Sequence, residues 1–114
     1  MTDTLFDKII RREIPADIVY EDADIVAFRD IHPQAPVHVL FVPRRGVATL
    51  NDLASTDAEL IGKLVLAAAA YAKRGGFAES GYRTVFNCNR DAGQTVFHIH
   101  LHLLGGGPLH TPFG

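Results

Sequence analysis

Cysteine is nearly absent: Cys88 is the only one in 114 residues, so no internal disulfide can staple the fold and a reducing compartment suits the chain. No long apolar run occurs either. The longest, Leu64 to Ala72, covers nine residues, far short of the roughly 20 needed for a helix to span a bilayer. Charge of one sign is never blocked, since 11 basic and 13 acidic residues are dispersed for a formal net charge of −2. Without a basic tract to follow a phosphate backbone, no polynucleotide partner is expected. The start, Met1-Thr2-Asp3-Thr4, has no basic segment ahead of an apolar one, so no secretory signal is expected and the cytoplasm is the expected location. What the chain does have is apolar material: 47% hydrophobic against 21% charged residues is enough to bury a core. Length and balance together predict a single domain over residues 1–114. The chain also has six histidines, three of them within five positions.

Leu5, Phe6, Ile9, Ile10 and Ile14 recur at helical spacing behind a capping Asp3 or Thr4, which predicts a helix stopped by Pro15. Ile18-Val19-Tyr20 and Ile25-Val26-Ala27-Phe28, on either side of Glu21-Asp22-Ala23-Asp24, predict a β-hairpin. Two prolines make Asp30-Ile31-His32-Pro33-Gln34-Ala35-Pro36 a loop, and Val37 to Val42 reads as a third strand closed by Pro43. Thr56 and Glu59 have capping-box spacing and predict a second helix to about Lys73, burying Leu60, Ile61, Leu64, Val65 and Ala68. Gly75-Gly76 ends it. Tyr82 to Asn87 predicts a fourth strand and Thr95 to Leu104 a fifth, joined by the turn Asn89 to Gly93. The expected fold class is α+β: a five-stranded antiparallel sheet with two helices, most strand contacts being hairpin-like.

The informative segment is Phe97-His98-Ile99-His100-Leu101-His102-Leu103-Leu104. On a strand, Ile99, Leu101 and Leu103 share the core face, and His98, His100 and His102 share the other. A lone histidine there is ordinarily satisfied by a neighbour, whereas a row of three serves no packing purpose and points to a site. Two chemistries compete. Imidazole binds zinc, copper or nickel, but the outer Cα atoms of such a set lie roughly 13 Å apart, and zinc needs each nitrogen within about 2.1 Å. Two of the three with His38 remain a candidate set, yet no Cys pair or well-placed Glu supports it. The other chemistry is nucleophilic attack on an anionic substrate, one neutral ring attacking while a protonated neighbour assists. Gly93-Gln94-Thr95 fits this, because a glycine turn lets backbone N–H groups approach an anion and the Thr95 hydroxyl can donate to it. Read alone, that tripeptide is equally an ordinary turn, Asp30 a turn former, and Phe28 and Leu40 core residues. His32 reads as a solvated loop residue and Cys88 as a small buried filler.

His98-Ile99-His100-Leu101-His102-Leu103-Leu104 follows the pattern His-φ-His-φ-His-φ-φ, with φ apolar, and so resembles the histidine triad (HIT) superfamily. Phe6-Asp7-Lys8-Ile9-Ile10 with Glu13-Ile14-Pro15-Ala16, Pro33-Gln34-Ala35-Pro36-Val37-His38, Gly93-Gln94-Thr95-Val96 and Leu104-Gly105-Gly106 extend the likeness to its Hint branch, the nucleoside phosphoramidases. The resemblance implies a HIT-like dimer whose two sheets join through edge strands, with the alanine-rich Ala67 to Ala72 segment near the interface. It implies hydrolysis of purine nucleoside 5′-phosphoramidates through a nucleotidyl-histidine, with no cofactor and no metal. By the same resemblance His100 is the nucleophile, His102 and Thr95 serve the phosphate and leaving group, His38 completes the histidine set and His98 orients it. Asn87 and Gly93 hold the phosphate and ribose side, Asp30 reads the ribose, and Ile14, Phe28, Ile31 and Leu40 sandwich the base.

Three departures stand out. Thr95 replaces a serine common in the branch, His32 stands where serine is also common, and Thr111 stands where many relatives carry tryptophan. Two other functions compete: a dinucleoside polyphosphate hydrolase with an oxygen leaving group, and a nucleotide-binding scaffold with incidental catalysis. The glycine run after the triad and the Hint-like N-terminal half favour the phosphoramidase.

Overall fold

The computed structural model describes residues 3–112. Met1 and Thr2, and the final Phe113 and Gly114 of the tail, lie outside the described residues. Thr4 caps α1 (Leu5–Ile10): its hydroxyl accepts from the Asp7 N–H at 3.2 Å, and the Asp7 carboxylate accepts from the Thr4 N–H at 2.9 Å. The helix stops at Ile10 and not at Pro15. Arg12 turns to a φ of 61°, and the Glu13 N–H closes back on the Lys8 carbonyl at 2.9 Å. Ile14 therefore packs from a loop.

The strands are β1 (Ile18–Glu21), β2 (Ile25–Arg29), β3 (Val37–Pro43), β4 (Tyr82–Val85) and β5 (Leu101–Gly105), with α2 (Ala58–Arg74) between β3 and β4. They form one antiparallel sheet in the order β1-β2-β3-β5-β4. The pairing of β3 with β5 is not hairpin-like. The chain leaves β3, runs through α2, lays β4 at the sheet edge and returns with β5 between the two.

Both later strands are shorter than expected, ending at Val85 and beginning at Leu101. The backbone between them finds its hydrogen bonds elsewhere. Buried Gln94 accepts from the Asn89 N–H at 2.9 Å and donates to the carbonyls of Ala48 at 2.8 Å and Val96 at 3.1 Å. The Ile99 N–H donates to the Val47 carbonyl at 2.7 Å. Asn89 and Gly93 take φ of 65° and 84°, which bends the segment out of the ladder.

The sheet has two apolar faces. Ile25, Ala27, Val39, Phe41, Leu101 and Leu103 pack against Leu64, Ala68 and Ala72 of α2, whose alanines let helix and sheet approach closely. Val26, Phe28, Leu40 and Val42 pack against Phe6 and Ile9 of α1. The expected capping box at Thr56 and Glu59 does not form. A 3₁₀ turn, Ser55–Asp57, leads into α2 instead, and Asp57 accepts from the Ala54 N–H at 2.8 Å and pairs with Arg45. Val65, expected inside, is 43% exposed, because the buried stripe runs Leu64-Ala68-Ala72 at i, i+4, i+8 and leaves it to one side. Gly76 ends the helix in the left-handed region with φ 80°, as its sequence position predicts. At the end of β5, a Cβ on Gly105 would stand 2.8 Å from the Phe77 ring, so this close approach requires glycine. Among the described residues no helix is long and apolar enough to cross a membrane.

Candidate active site

The site lies on the sheet face turned away from α2, where β3 and β5 meet. Their register sets Leu40 opposite His102 and His38 opposite Leu104, so His38 and His102 share that face, and His38 Nε2 lies 2.9 Å from His102 Nδ1. The surrounding hydrogen bonds assign the protons. The Gln34 N–H donates to His38 Nδ1 at 3.0 Å, so the neutral His38 ring carries its proton on Nε2 and donates it to His102 Nδ1. His102 is then left with an N–H at Nε2, free to donate outward. His100 is held the opposite way: its Nδ1–H donates to the His98 carbonyl at 2.8 Å, leaving Nε2 as a lone pair. Phe6 packs edge-on against the His100 ring, with centroids 4.9 Å apart at 88°, and fixes its tilt.

His98 lies near Phe6 of α1, as His100 does, so it keeps the side that alternation predicts, but it differs from the other two in its burial. It precedes β5, is 1% exposed, and donates from Nε2 to the Pro43 carbonyl at 2.7 Å. Of the three triad histidines only His100 and His102 line the cavity. Burial pushes the pKa of His38 and of His100 below the ordinary imidazole range. His102 is pushed down to about 4, by burial first and then by the neighbouring His100 and His38 rings. All three are therefore neutral at pH 7, which replaces the expected pairing of a neutral ring with a protonated one. The negative charge of an approaching phosphate works against this burial effect and favours protonation.

A cavity of about 370 Å³ opens in front of these rings. Phe28 and Leu40, 3% and 6% exposed, serve both the α1-side core and the cavity floor. Ile14 lines one wall and Ile31, 82% exposed, stands at the lip. Asp30, Asn87, Gly93, Thr95, His100 and His102 make the polar end. The structure thus brings together in one cavity every residue that the sequence nominates for a nucleotide. His38 and His98 stand behind it. His32 is exposed and also reaches the wall, while Cys88 is free and only partly buried.

Asp30 does more than its place in a turn suggests. Its Oδ1 accepts from the His32 N–H at 2.8 Å, and its Oδ2 lies 3.5 Å from His38 Nε2. Asp30, His38 and His102 offer ligand atoms all within 4.8 Å of one another, and they are the set among the described residues that could hold a metal ion. Tetrahedral zinc with nitrogens at about 2.1 Å holds them about 3.4 Å apart. Binding there would have to open the His38–His102 hydrogen bond. Sequence reasoning missed this set because Asp30 follows one strand while His38 and His102 lie on two others. It also missed Phe6, whose helical spacing shows only that it is buried, and Gln94, whose side chain fixes the loop carrying Thr95.

Residues 11–109 match the family model for the HIT domain. The chain belongs to the HIT family. Among its HIT relatives, the purine nucleoside phosphoramidase of Escherichia coli (strain K12) is 52% identical over 107 residues, covering 94% of this chain and 90% of that protein. A 14 kDa zinc-binding protein of Zea mays is 46% identical over 113 residues, covering 97% of this chain and 88% of that protein. The crystal structure of a HIT family hydrolase from Legionella pneumophila Philadelphia 1 matches with a TM-score of 0.94 and 50% identity over 98% of this chain and all of that one, 100%. This HIT protein is a hydrolase with the fold of those neighbours.

Proposed function

We propose that this HIT hydrolase cleaves the P–N bond of purine nucleoside 5′-phosphoramidates, releasing a nucleoside monophosphate and an amine. The observation that carries the reading is the His100 ring, whose Nδ1–H is committed to the His98 carbonyl so that Nε2 meets the cavity as a lone pair. In the first step His100 Nε2 bonds to the α-phosphorus, the P–N bond breaks, and its electron pair leaves on the amine nitrogen. That nitrogen takes a proton through the Thr95 hydroxyl or the His102 Nε2–H. In the second step water bonds to phosphorus and gives a proton back to the Thr95 or His102 donor, and the P–Nε2 bond breaks with its electron pair returning to Nε2, restoring neutral His100. His102 donates to a phosphoryl oxygen as charge develops there, a role typically worth about 10²–10³ in rate. The apolar floor takes the base, and Asp30 accepts from the ribose hydroxyls. The name of the E. coli relative supports an amine over an oxygen leaving group.

The same reading holds the protein to be a homodimer. Val65 and Leu66, 43% and 70% exposed on α2, and Tyr82, 37% exposed on the edge strand β4, support a partner on that side. The free Cys88 suits a cytoplasmic setting. The test is to label the protein with an adenosine phosphoramidate carrying a radiolabelled phosphoryl group. Acid-labile label is expected on wild type and absent from a folded His100→Ala protein, which should also lose turnover. Label persisting in that variant would reassign the nucleophile, and faster turnover of a diadenosine polyphosphate would reassign the substrate.

A further inference from the structure

A second cavity, of about 590 Å³, adjoins the first and shares Leu5, Thr95 and Val96 with it. We propose that it holds the far end of the leaving group and selects one carrying a second, cationic amine. The inference rests on the phosphoramidase reading and names the leaving-group class for it. Thr95 stands in both walls, so a group expelled past its hydroxyl has this space beyond it. The rim is apolar, with Leu5 and Phe97 exposed by 46% and 47%, and suits methylenes or a ring.

The floor is electronegative. Asp7 spends Oδ2 on the α1 cap, accepting from the Thr4 N–H at 2.9 Å and from its hydroxyl at 3.2 Å. Among the described residues its Oδ1 accepts no hydrogen bond and no Lys or Arg pairs with it; the neighbour it faces is His98 Nδ1 at 3.5 Å. That nitrogen is buried and has no hydrogen-bond partner. Because His98 Nε2 donates to the Pro43 carbonyl, Nδ1 of the neutral ring is a lone pair. Two acceptors therefore lie side by side with no protein donor to serve them, a costly arrangement for the buried nitrogen, while the carboxylate beside it still reaches the cavity. Gly46 leaves room above them: a Cβ there would make only ordinary contact, 3.8 Å from the buried Nδ1 and 3.9 Å from Oδ1, and the Asp7 carboxylate is the part of the floor open to a ligand. A primary ammonium answers all of this, bringing three N–H donors and a positive charge on an apolar stem.

The test compares kcat/KM for two series of adenosine 5′-phosphoramidates of matched chain length, one N-alkyl and one ω-aminoalkyl. At the best-fitting length the aminoalkyl substrate should be favoured about three- to tenfold, as a partly exposed charge-assisted hydrogen bond allows. The ratio within each protein is the readout, so a general loss of activity does not enter it. It should fall to about one in Asp7→Asn, and also in Gly46→Leu, which covers the same floor without disturbing the helix cap. A wild-type ratio of about one at every length, or a ratio unchanged in both variants, overturns the subsite. Failure of both series to turn over would instead overturn the phosphoramidase reading.

Discussion

Replacing His102 by asparagine should flatten the acid side of the stability curve. Unfolded, an imidazole titrates near 6.5; folded, His102 titrates at about 4, chiefly because it is buried. As pH falls, the unfolded chain takes up its proton first, so the stability supplied by neutral His102 is complete above about pH 6.5 and drains away between there and about pH 4. Between pH 7 and pH 5 the linkage relation gives about 1.8 kcal/mol for this ring, and water reaching part of it trims the figure to about 1 kcal/mol. His38 and His100, also held low by burial, add a loss of the same sign in both proteins. Glu13, Glu21 and Asp22 are held below the usual carboxylate range by their hydrogen bonds to Arg11, Arg12 and Tyr20, and their loss falls at lower pH. The assay is urea unfolding at pH 7 and pH 5, at one protein concentration because self-association would shift the midpoint. The drop in midpoint between the two pH values should be about 0.5–1 M smaller in His102→Asn than in wild type. Equal drops would show that burial does not hold the His102 ring neutral, and with it would go the assignment of its Nε2–H as a ready donor.

Three further outcomes follow from the site. Asp30→Asn keeps an oxygen for the His32 N–H but loses the charge that reads the ribose, so AMP affinity by calorimetry should fall about tenfold while its 2′,3′-dideoxy analogue changes little; equal losses would remove Asp30 from the ribose site. Dialysis against chelator should leave turnover intact and added zinc should slow it, since an ion at Asp30, His38 and His102 breaks the hydrogen bond that sets the His102 tautomer; activity lost to chelator and restored by zinc contradicts this. Light scattering at micromolar concentration should give twice the monomer mass, and Leu66→Glu, placing a charge on the exposed side of α2, should shift it toward monomer; a wild-type monomer would refute the dimer.

Local chemistry legible along the chain determined a good deal. Thr4 before an apolar helical pattern caps α1, β-branched runs around Glu21 to Asp24 make the first hairpin, and Gly75-Gly76 ends α2. Alternation alone put Leu101 and Leu103 against α2 and His102 on the opposite face. These rules act over two to four residues, and the sequence displays them directly. Where β5 begins was not legible, because the side chain of Gln94, not a neighbouring strand, satisfies the backbone that precedes it. His98 therefore precedes the strand and is buried, its Nε2 held by the Pro43 carbonyl. Nor could periodicity show that β5 returns to lie beside β3, that α1 folds Phe6 onto His100, or that Asp30 meets His38. Each of those contacts closes a long loop, and what selects it is burial of both sheet faces at once, a property of the whole chain packed together. The histidine pattern announces imidazole chemistry. Which nitrogen attacks and which donates was decided only when the Gln34 N–H and the His98 carbonyl came to rest against the rings, since a proton's position on imidazole is set by the partner of the other nitrogen.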